Sequence, residues 1–210
     1  MRHDDAVRAQ VIVLAGPSGS GKSRLCDRLG LPFVNLDDFY KDGGDPTIPR
    51  VTLAGGQEIA DWDHPDAWLR DEAVDTLERL CRDGVAEVPV YEIAQDGRTG
   101  HRKVDLDGSR FFVAEGIFAQ EVVGECRTRG LLADAICVTN HPAVTFWRRL
   151  TRDLREHRKP PWVLLRRGLM LMRAQPRVVG HAVGLGCTPM SSERAYRRIR
   201  ALVDTGVPAP

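Results

Sequence analysis

The sequence predicts an α/β protein: a sheet of buried parallel strands with helices packed on it. Three observations lead there. A run of apolar, mostly β-branched residues at Val11–Ala15 passes directly into a glycine-rich loop and then a helical pattern. Further short apolar runs at Phe33–Leu36, Arg110–Ala114 and Ala135–Val138 alternate with segments of helical period. Two of those runs end in carboxylates, Asp37-Asp38 and Glu115, where an open parallel sheet places its ligands, beyond the carboxyl ends of its strands.

The loop is the most specific feature. Gly16-Pro-Ser-Gly-Ser-Gly-Lys-Ser23 fits G-x-x-x-x-G-K-[ST], the Walker A pattern of a phosphate-binding P-loop. At average composition the fixed positions match by chance in about one chain in a hundred, and the flanking strand and helix reduce that further. Gly16, Gly19 and Gly21 let the backbone turn tightly and present bare N–H groups to phosphate oxygens. Ser18 and Ser20 belong to the same cradle, Lys22 supplies a point charge for the β/γ-phosphates, and the Ser23 hydroxyl can ligate Mg²⁺. The alternative, a Gly/Ser-rich surface loop, does not account for the strand before it or the Leu25/Leu29 spacing after it.

Composition bounds the rest. The 210 residues suit a single domain over 1–210, and 42% hydrophobic residues are enough for a full core. A net charge of +1 gives no reason to expect nucleic-acid or membrane binding. No apolar run is long enough to span a bilayer. Five scattered cysteines without C-x-x-C spacing predict reduced thiols, a cytoplasmic location and no zinc site.

Taken in order, residues 1–10 read as an N-terminal arm, and Ser23–Leu29 as a helix stopped by Gly30-Leu31-Pro32. The strand 33–36 delivers Asp37 and Asp38, either an Asp-rich turn or a carboxylate facing the γ-phosphate. Lys41–Gly56 has no period and reads as a loop. Pro65 can open a helix, which leaves Asp63 as cap or ligand, and Trp68, Leu69, Ala73, Leu77 and Leu80 form an apolar helical stripe. Val85–Ile93 and Arg98–Val104 predict a β-hairpin around Asp96-Gly97. Glu115 closes a buried strand, as a Mg²⁺ ligand or as the cap of the next helix, which is expected over Gln120–Arg129. From Pro142 the pattern is helical and basic to Pro160-Pro161, and Arg148, Arg152 and Arg155 recur every three or four residues, as in a solvated face or an arginine lid. A second basic helix over Trp162–Arg173, a Gly-rich loop over Gly180–Pro189, a helix over Ser191–Val203 and a disordered tail Gly206–Pro210 complete the reading.

Several of these segments resemble the uridine kinase (uridine–cytidine kinase) family of P-loop nucleoside kinases. Leu36-Asp-Asp-Phe-Tyr40 is similar to its Asp-Ser-Phe-Tyr, Asp63-His-Pro-Asp-Ala67 matches its Asp-His-Pro-Asp-Ala, Pro89-Val-Tyr91-Glu its Pro-x-Tyr-Asp, and Glu115-Gly-Ile117 its Glu-Gly-Ile. Arg98 matches an Arg of the same hairpin, and Arg148-Arg149-x-x-Arg152-Asp153 resembles its arginine lid. The resemblance runs from about residue 11 to 159 and leaves the last fifty residues unaligned.

It implies a five-stranded parallel sheet flanked by helices, with a hairpin at 85–104 over the acceptor site and a lid with basic helices at 142–173. It further implies transfer of a phosphoryl group from ATP·Mg²⁺ to a primary hydroxyl of a nucleoside or similar small molecule. In that scheme Asp37 is the base, Lys22 and Arg152 are catalytic, and Arg148 and Arg149 join the P-loop on the nucleotide. Asp63, Tyr91, Asp96 and Arg98 bind the acceptor, and Ser23 with Glu115 places the metal. Asp96 stands where the family has a pyrimidine-contacting His, which leaves base selectivity open. A kinase for pantothenate or a sugar and a non-catalytic ATP-binding module are the other readings. Neither a preference for ATP over GTP nor self-association can be read from the sequence.

Overall fold

Strands that are buried on both faces alternate between two cores. The computed structural model describes residues 7–52, 56–155 and 161–206. Its central sheet is formed by β1 (Gln10–Ala15), β2 (Phe33–Asn35), β7 (Phe111–Glu115), β8 (Leu132–Val138) and β9 (Thr188–Met190), in the order β2-β7-β1-β8-β9. Every pairing in it is parallel. Val11, Val13 and Ala15 of β1 face one core with Phe112 and Ala114 of β7, while Ile12 and Leu14 face the other with Phe111 and Val113. This is the period of two expected of a strand covered on both sides.

Helix α1 (Lys22–Leu29) and helix α6 (Ser192–Thr205) cover one face, where Leu25, Leu29, Ile199 and Leu202 are buried. Helix α2 (Arg70–Asp83) covers the other with Ala73, Leu77 and Leu80, the stripe read from the sequence, followed by the short α3 (Val123–Thr128). The antiparallel hairpin β5 (Val85–Glu92) and β6 (Gly97–Asp105) packs beside α2, close to its expected limits. Ser191 caps α6 by accepting the Arg194 N–H, as a serine at that place should.

The structure corrects four readings. Lys41–Gly56 is not loop throughout: β3 (Arg50–Thr52) pairs with β4 (Glu58–Ala60) in a small hairpin. Its residues are almost all exposed, so no apolar alternation announced it. Nor is Gly180–Pro189 a loop. Helix α5 (Pro161–Gly184) runs through Pro176 and Gly180, and the fifth parallel strand, β9, follows at once. The buried Gln175 and Ala182 hold α5 against the sheet, and that packing outweighs the local stop signals. The helix expected over Gln120–Arg129 opens as a 3₁₀ turn, Ala119–Val122, before α3. Pro65 likewise opens only a 3₁₀ turn (Pro65–Ala67), capped by His64, and α2 begins at Arg70.

Helix α4 (Pro142–Arg155) carries Arg148, Arg149, Arg152 and Arg155, whose side chains lie outside the described residues. So do residues 1–6 of the expected arm, the lid end 156–160 and the tail after Gly206.

Candidate active site

The P-loop, Asp37 and Glu115 meet at the carboxyl edge of the sheet because β1, β7 and β2 are neighbours there. Gly16 has φ 129, a conformation that glycine tolerates, and a Cβ on it would collide with the Val138 carbonyl oxygen of β8. Gly19, with φ 83, turns the middle of the loop in the left-handed region. Lys22 is buried, and its Nζ donates to the Gly16 carbonyl at 2.9 Å. The loop is held from the far side as well. Asn140, just after β8, donates to the Ser20 carbonyl at 2.8 Å, and Gln175 of α5 donates to the Asn140 carbonyl at 2.7 Å. These bonds shape the cradle before any anion arrives.

Ser23 Oγ donates to Glu115 Oε1 at 2.8 Å. A hydroxyl and a carboxylate oxygen suit a hard cation such as Mg²⁺, which is commonly held by one or two carboxylates together with nucleotide phosphates. Among the described residues no cluster of three or more His, Cys, Asp or Glu could hold a metal by itself. The donor set therefore fits a metal that arrives with a nucleotide.

The two neighbouring aspartates point to different partners. Asp37 Oδ1 accepts the Ile117 N–H at 2.8 Å, with Lys22 and Glu115 near enough to act on its charge. Burial pushes its carboxyl above the ordinary 3.8 despite that bond and Lys22. Asp38 faces the hairpin, taking the Asn35 side-chain N–H at 3.2 Å and lying 3.9 Å from Arg102. Gly116 makes the approach of Asp37 to β7 feasible, since a Cβ there would stand 2.8 Å from Asp37 Oδ1 and 3.0 Å from Leu36 Cβ.

A cleft of about 560 Å³ opens from Gly16, Pro17 and Ser18 past Asp63 and Phe118 to Glu121, with α5 as its opposite wall. Asp63 is exposed on its rim. Tyr40 centres an aromatic group between Trp62 (5.7 Å), Tyr91 (5.7 Å) and Phe118 (6.0 Å), and its hydroxyl donates to the Trp62 carbonyl at 3.0 Å. Burial, then the charges of Asp37 and Asp63, pushes the Tyr40 phenol well up and keeps it neutral.

The other expected acceptor ligands lie off the wall of this cleft. Arg98 makes paired 2.9 Å bonds to both oxygens of Glu72 on α2, and its Nε donates to the Tyr40 carbonyl at 3.2 Å. Its guanidinium thus clips the hairpin to α2. Asp96 is exposed at the hairpin turn with φ 46, and its carbonyl accepts the Gly43 N–H at 2.6 Å. What sequence reading missed is the contribution of α5 and of the turn after β7: Gln120, Glu121, Gln175, Arg177 and His181. The α5 residues fall in the stretch where no motif was legible.

A second cleft, about 430 Å³, lies beyond Gly21 and is lined by Arg24, Arg28, Asn140, Ser191, Ser192 and Glu193. Arg28 is fixed in it, 3.0 Å from Glu193 and over the Tyr196 ring at 4.2 Å. Of the loop glycines read as phosphate-binding, Gly16 lines the first cleft and Gly21 the second, whereas Gly19 lines neither.

With this geometry in hand, comparisons with known proteins are informative. No protein-family model matches the chain. The uridine kinase of Clostridium botulinum is 29% identical over 156 residues, 71% of this chain and 71% of that protein. The uridine kinase of Lactobacillus johnsonii is 27% identical over 157 residues (71% and 70%), and that of Haemophilus influenzae 27% over 157 (70% and 69%). All three of these relatives are named uridine kinases. Among solved structures, a candidate fructose transport system kinase from Silicibacter sp. TM1040 superposes with a TM-score of 0.59 at 19% identity, covering 82% of this chain and 85% of its own. That likeness establishes the fold, a parallel sheet flanked by helices. No helix among the described residues is long and apolar enough to cross a membrane.

Proposed function

We propose that this chain is an ATP-dependent kinase that transfers the γ-phosphoryl group to a primary hydroxyl of a nucleoside or a similar small molecule. The observation that carries the reading is the convergence of a buried carboxylate, Asp37, with the Walker A Lys22 and the Ser23–Glu115 pair at one edge of the sheet. Uridine kinase relatives spanning about 70% of the chain support the same reaction.

The loop amides, Gly19 among them, and Lys22 hold the phosphates, and the α1 N-terminus adds its dipole to the same anion. The nucleotide base takes the cleft beside Arg24 and Ser191. Ser23 and Glu115 would hold Mg²⁺ brought with ATP, and the metal would supply positive charge to the phosphates. Asp37 orients the acceptor hydroxyl and receives its proton, a role that needs an ionised carboxylate within hydrogen-bond reach. Asp63 on the cleft rim binds hydroxyls of the acceptor, Tyr91 backs the aromatic wall through Tyr40, and Arg98 braces the hairpin. Arg148, Arg149 and Arg152 of α4 supply lid charge to the transferring group. All of this lies in one P-loop kinase domain.

The test is transfer of radiolabelled phosphate from [γ-³²P]ATP to a panel of nucleosides, pantothenate and sugars. Acceptor-dependent transfer by the wild type, lost in a folded Lys22→Ala variant, is the expected result. ATP binding with no transfer to any member would leave an ATP-binding module without turnover.

A further inference from the structure

Gly168, Gln175 and Ala182 recur every seven residues along α5, so they share one face of the helix. All three are buried. Gly168 lies against the Phe146 ring of α4, where an added Cβ would stand 2.7 Å from a ring carbon, and Ala182 belongs to the core on the sheet. Gln175 comes between them, a polar side chain only 4% exposed in a stripe of small residues. Helix packing alone would be served by an apolar residue, since burying an amide costs free energy unless it is hydrogen-bonded.

The bonds of Gln175 lead to the phosphate loop. Its Nε2 donates to the Asn140 carbonyl at 2.7 Å, and the Asn140 side chain donates to the Ser20 carbonyl at 2.8 Å. The Ser20 carbonyl and the Gly21 N–H belong to one planar trans peptide, so they point in opposite directions. With that carbonyl held by Asn140, the Gly21 N–H is turned the other way, and it has no acceptor among the described residues. The Ser20 hydroxyl, fully buried, has no partner among them either and so does not fix this peptide. Gly19 and Gly21 have φ 83 and φ 99, and glycine lets a peptide turn over at little steric cost. A turned peptide would set a carbonyl oxygen, not an N–H, toward a phosphate.

We propose that Asn140 and Gln175 are positioning residues for the nucleotide phosphates: Gln175 fixes Asn140, and Asn140 fixes the peptide that carries the Gly21 N–H. Both act through the loop backbone. This deepens the kinase reading and rests on its assignment of the loop to nucleotide phosphates. Asn140 stands between β8 and α4, so the same relay ties the loop to the root of α4 and to the middle of α5.

The test is isothermal titration of the full chain with MgATP and with magnesium tripolyphosphate. The second ligand presents phosphates without a base, which matters because Asn140 also lines the cleft beside Arg24. Gln175→Met removes the donor to Asn140 and keeps an unbranched side chain, and Asn140→Asp removes the donor to Ser20 with little change of shape. Gln175→Met should weaken both ligands by one factor, roughly 2- to 10-fold, as for a single lost hydrogen bond, and Asn140→Asp by at least as much. The double variant should bind no more weakly than Asn140→Asp, because Gln175 acts through Asn140. The KM of the hydroxyl acceptor should stay at its wild-type value. Unchanged tripolyphosphate affinity in both variants overturns the proposal. So does a loss confined to MgATP, which would put Asn140 on the base or ribose, and so do additive losses in the double variant. If Gln175→Met does not melt as a folded protein, Asn140→Asp, at a half-buried position, decides by the same two titrations. A wild type that binds both ligands but phosphorylates no acceptor overturns the kinase reading alone, and one that binds neither overturns both.

Discussion

Asp37 and Ile117 join the ends of two neighbouring strands: the carboxylate that follows β2 accepts the backbone N–H that follows β7 at 2.8 Å. This bond aims one Asp37 oxygen at the backbone, in a place where burial already disfavours its charge.

Replacing Asp37 by Asn should separate activity from stability. Its folded pKa is raised, so its contribution to stability is fully present below the ordinary 3.8 and is lost as pH rises through the folded value. At neutral pH the ionised carboxylate therefore weakens the fold. Asn keeps an oxygen for the Ile117 N–H and removes the charge. Asp37→Asn is expected to melt higher than wild type at pH 7 while kcat falls by about 10²–10⁴. The acid limb of wild-type kcat/KM should lie above 3.8. A variant that melts lower and keeps full turnover would contradict both the burial argument and the assignment of the base.

Gly116→Ala should act on the same carboxylate indirectly. The new methyl group would sit 2.8 Å from Asp37 Oδ1, closer than packed atoms allow, and must push Asp37 or Leu36 aside. We expect kcat to drop at least about tenfold, since small misplacements of reacting groups are expensive, with ATP affinity nearly unchanged. Isothermal titration with ATP alongside steady-state kinetics would test this, and wild-type kcat would show that the contact relaxes freely.

The Arg98–Glu72 bridge separates a bracing residue from an acceptor ligand. Its side chains are 20% and 36% exposed, so the pair is partly screened. A double-mutant cycle with Arg98→Ala and Glu72→Gln should give a coupling of about 1 kcal/mol in denaturant melts. Both single variants should raise the acceptor KM by similar factors if bracing is the role. A large KM effect confined to Arg98→Ala would instead place its guanidinium on the acceptor.

The thiols should be inert in the folded protein. All five cysteines are buried, and burial pushes Cys26, Cys81, Cys126 and Cys187 up to about 12. Since the thiolate is the reactive form, a disulfide reagent near pH 8 should find almost no thiol until denaturant is added, and then five. Rapid native labelling would reveal local opening around one of these sites.

The sequence alone determined the features whose chemistry is local. A Walker A loop needs glycines and a lysine at fixed spacing, and the strand before it needs an unbroken apolar run, so residues 11–23 were legible without any fold. Glu115, the α2 stripe and the 85–104 hairpin followed from the same period and turn rules. Tertiary structure decided what depends on distance along the chain. Asp37 and Asp38 are adjacent in sequence, and only the sheet order β2-β7-β1 sets one toward the P-loop and the other toward Arg102. Arg98 matched a motif, yet its guanidinium is held by Glu72, 26 residues away. Helix α5 continues past Pro176, and β9 adds the last strand, because buried side chains on the sheet outweigh weak local propensity. The Glu121–His181 pair spans 60 residues, a contact that no spacing rule could reveal because it exists only where α5 crosses the turn after β7.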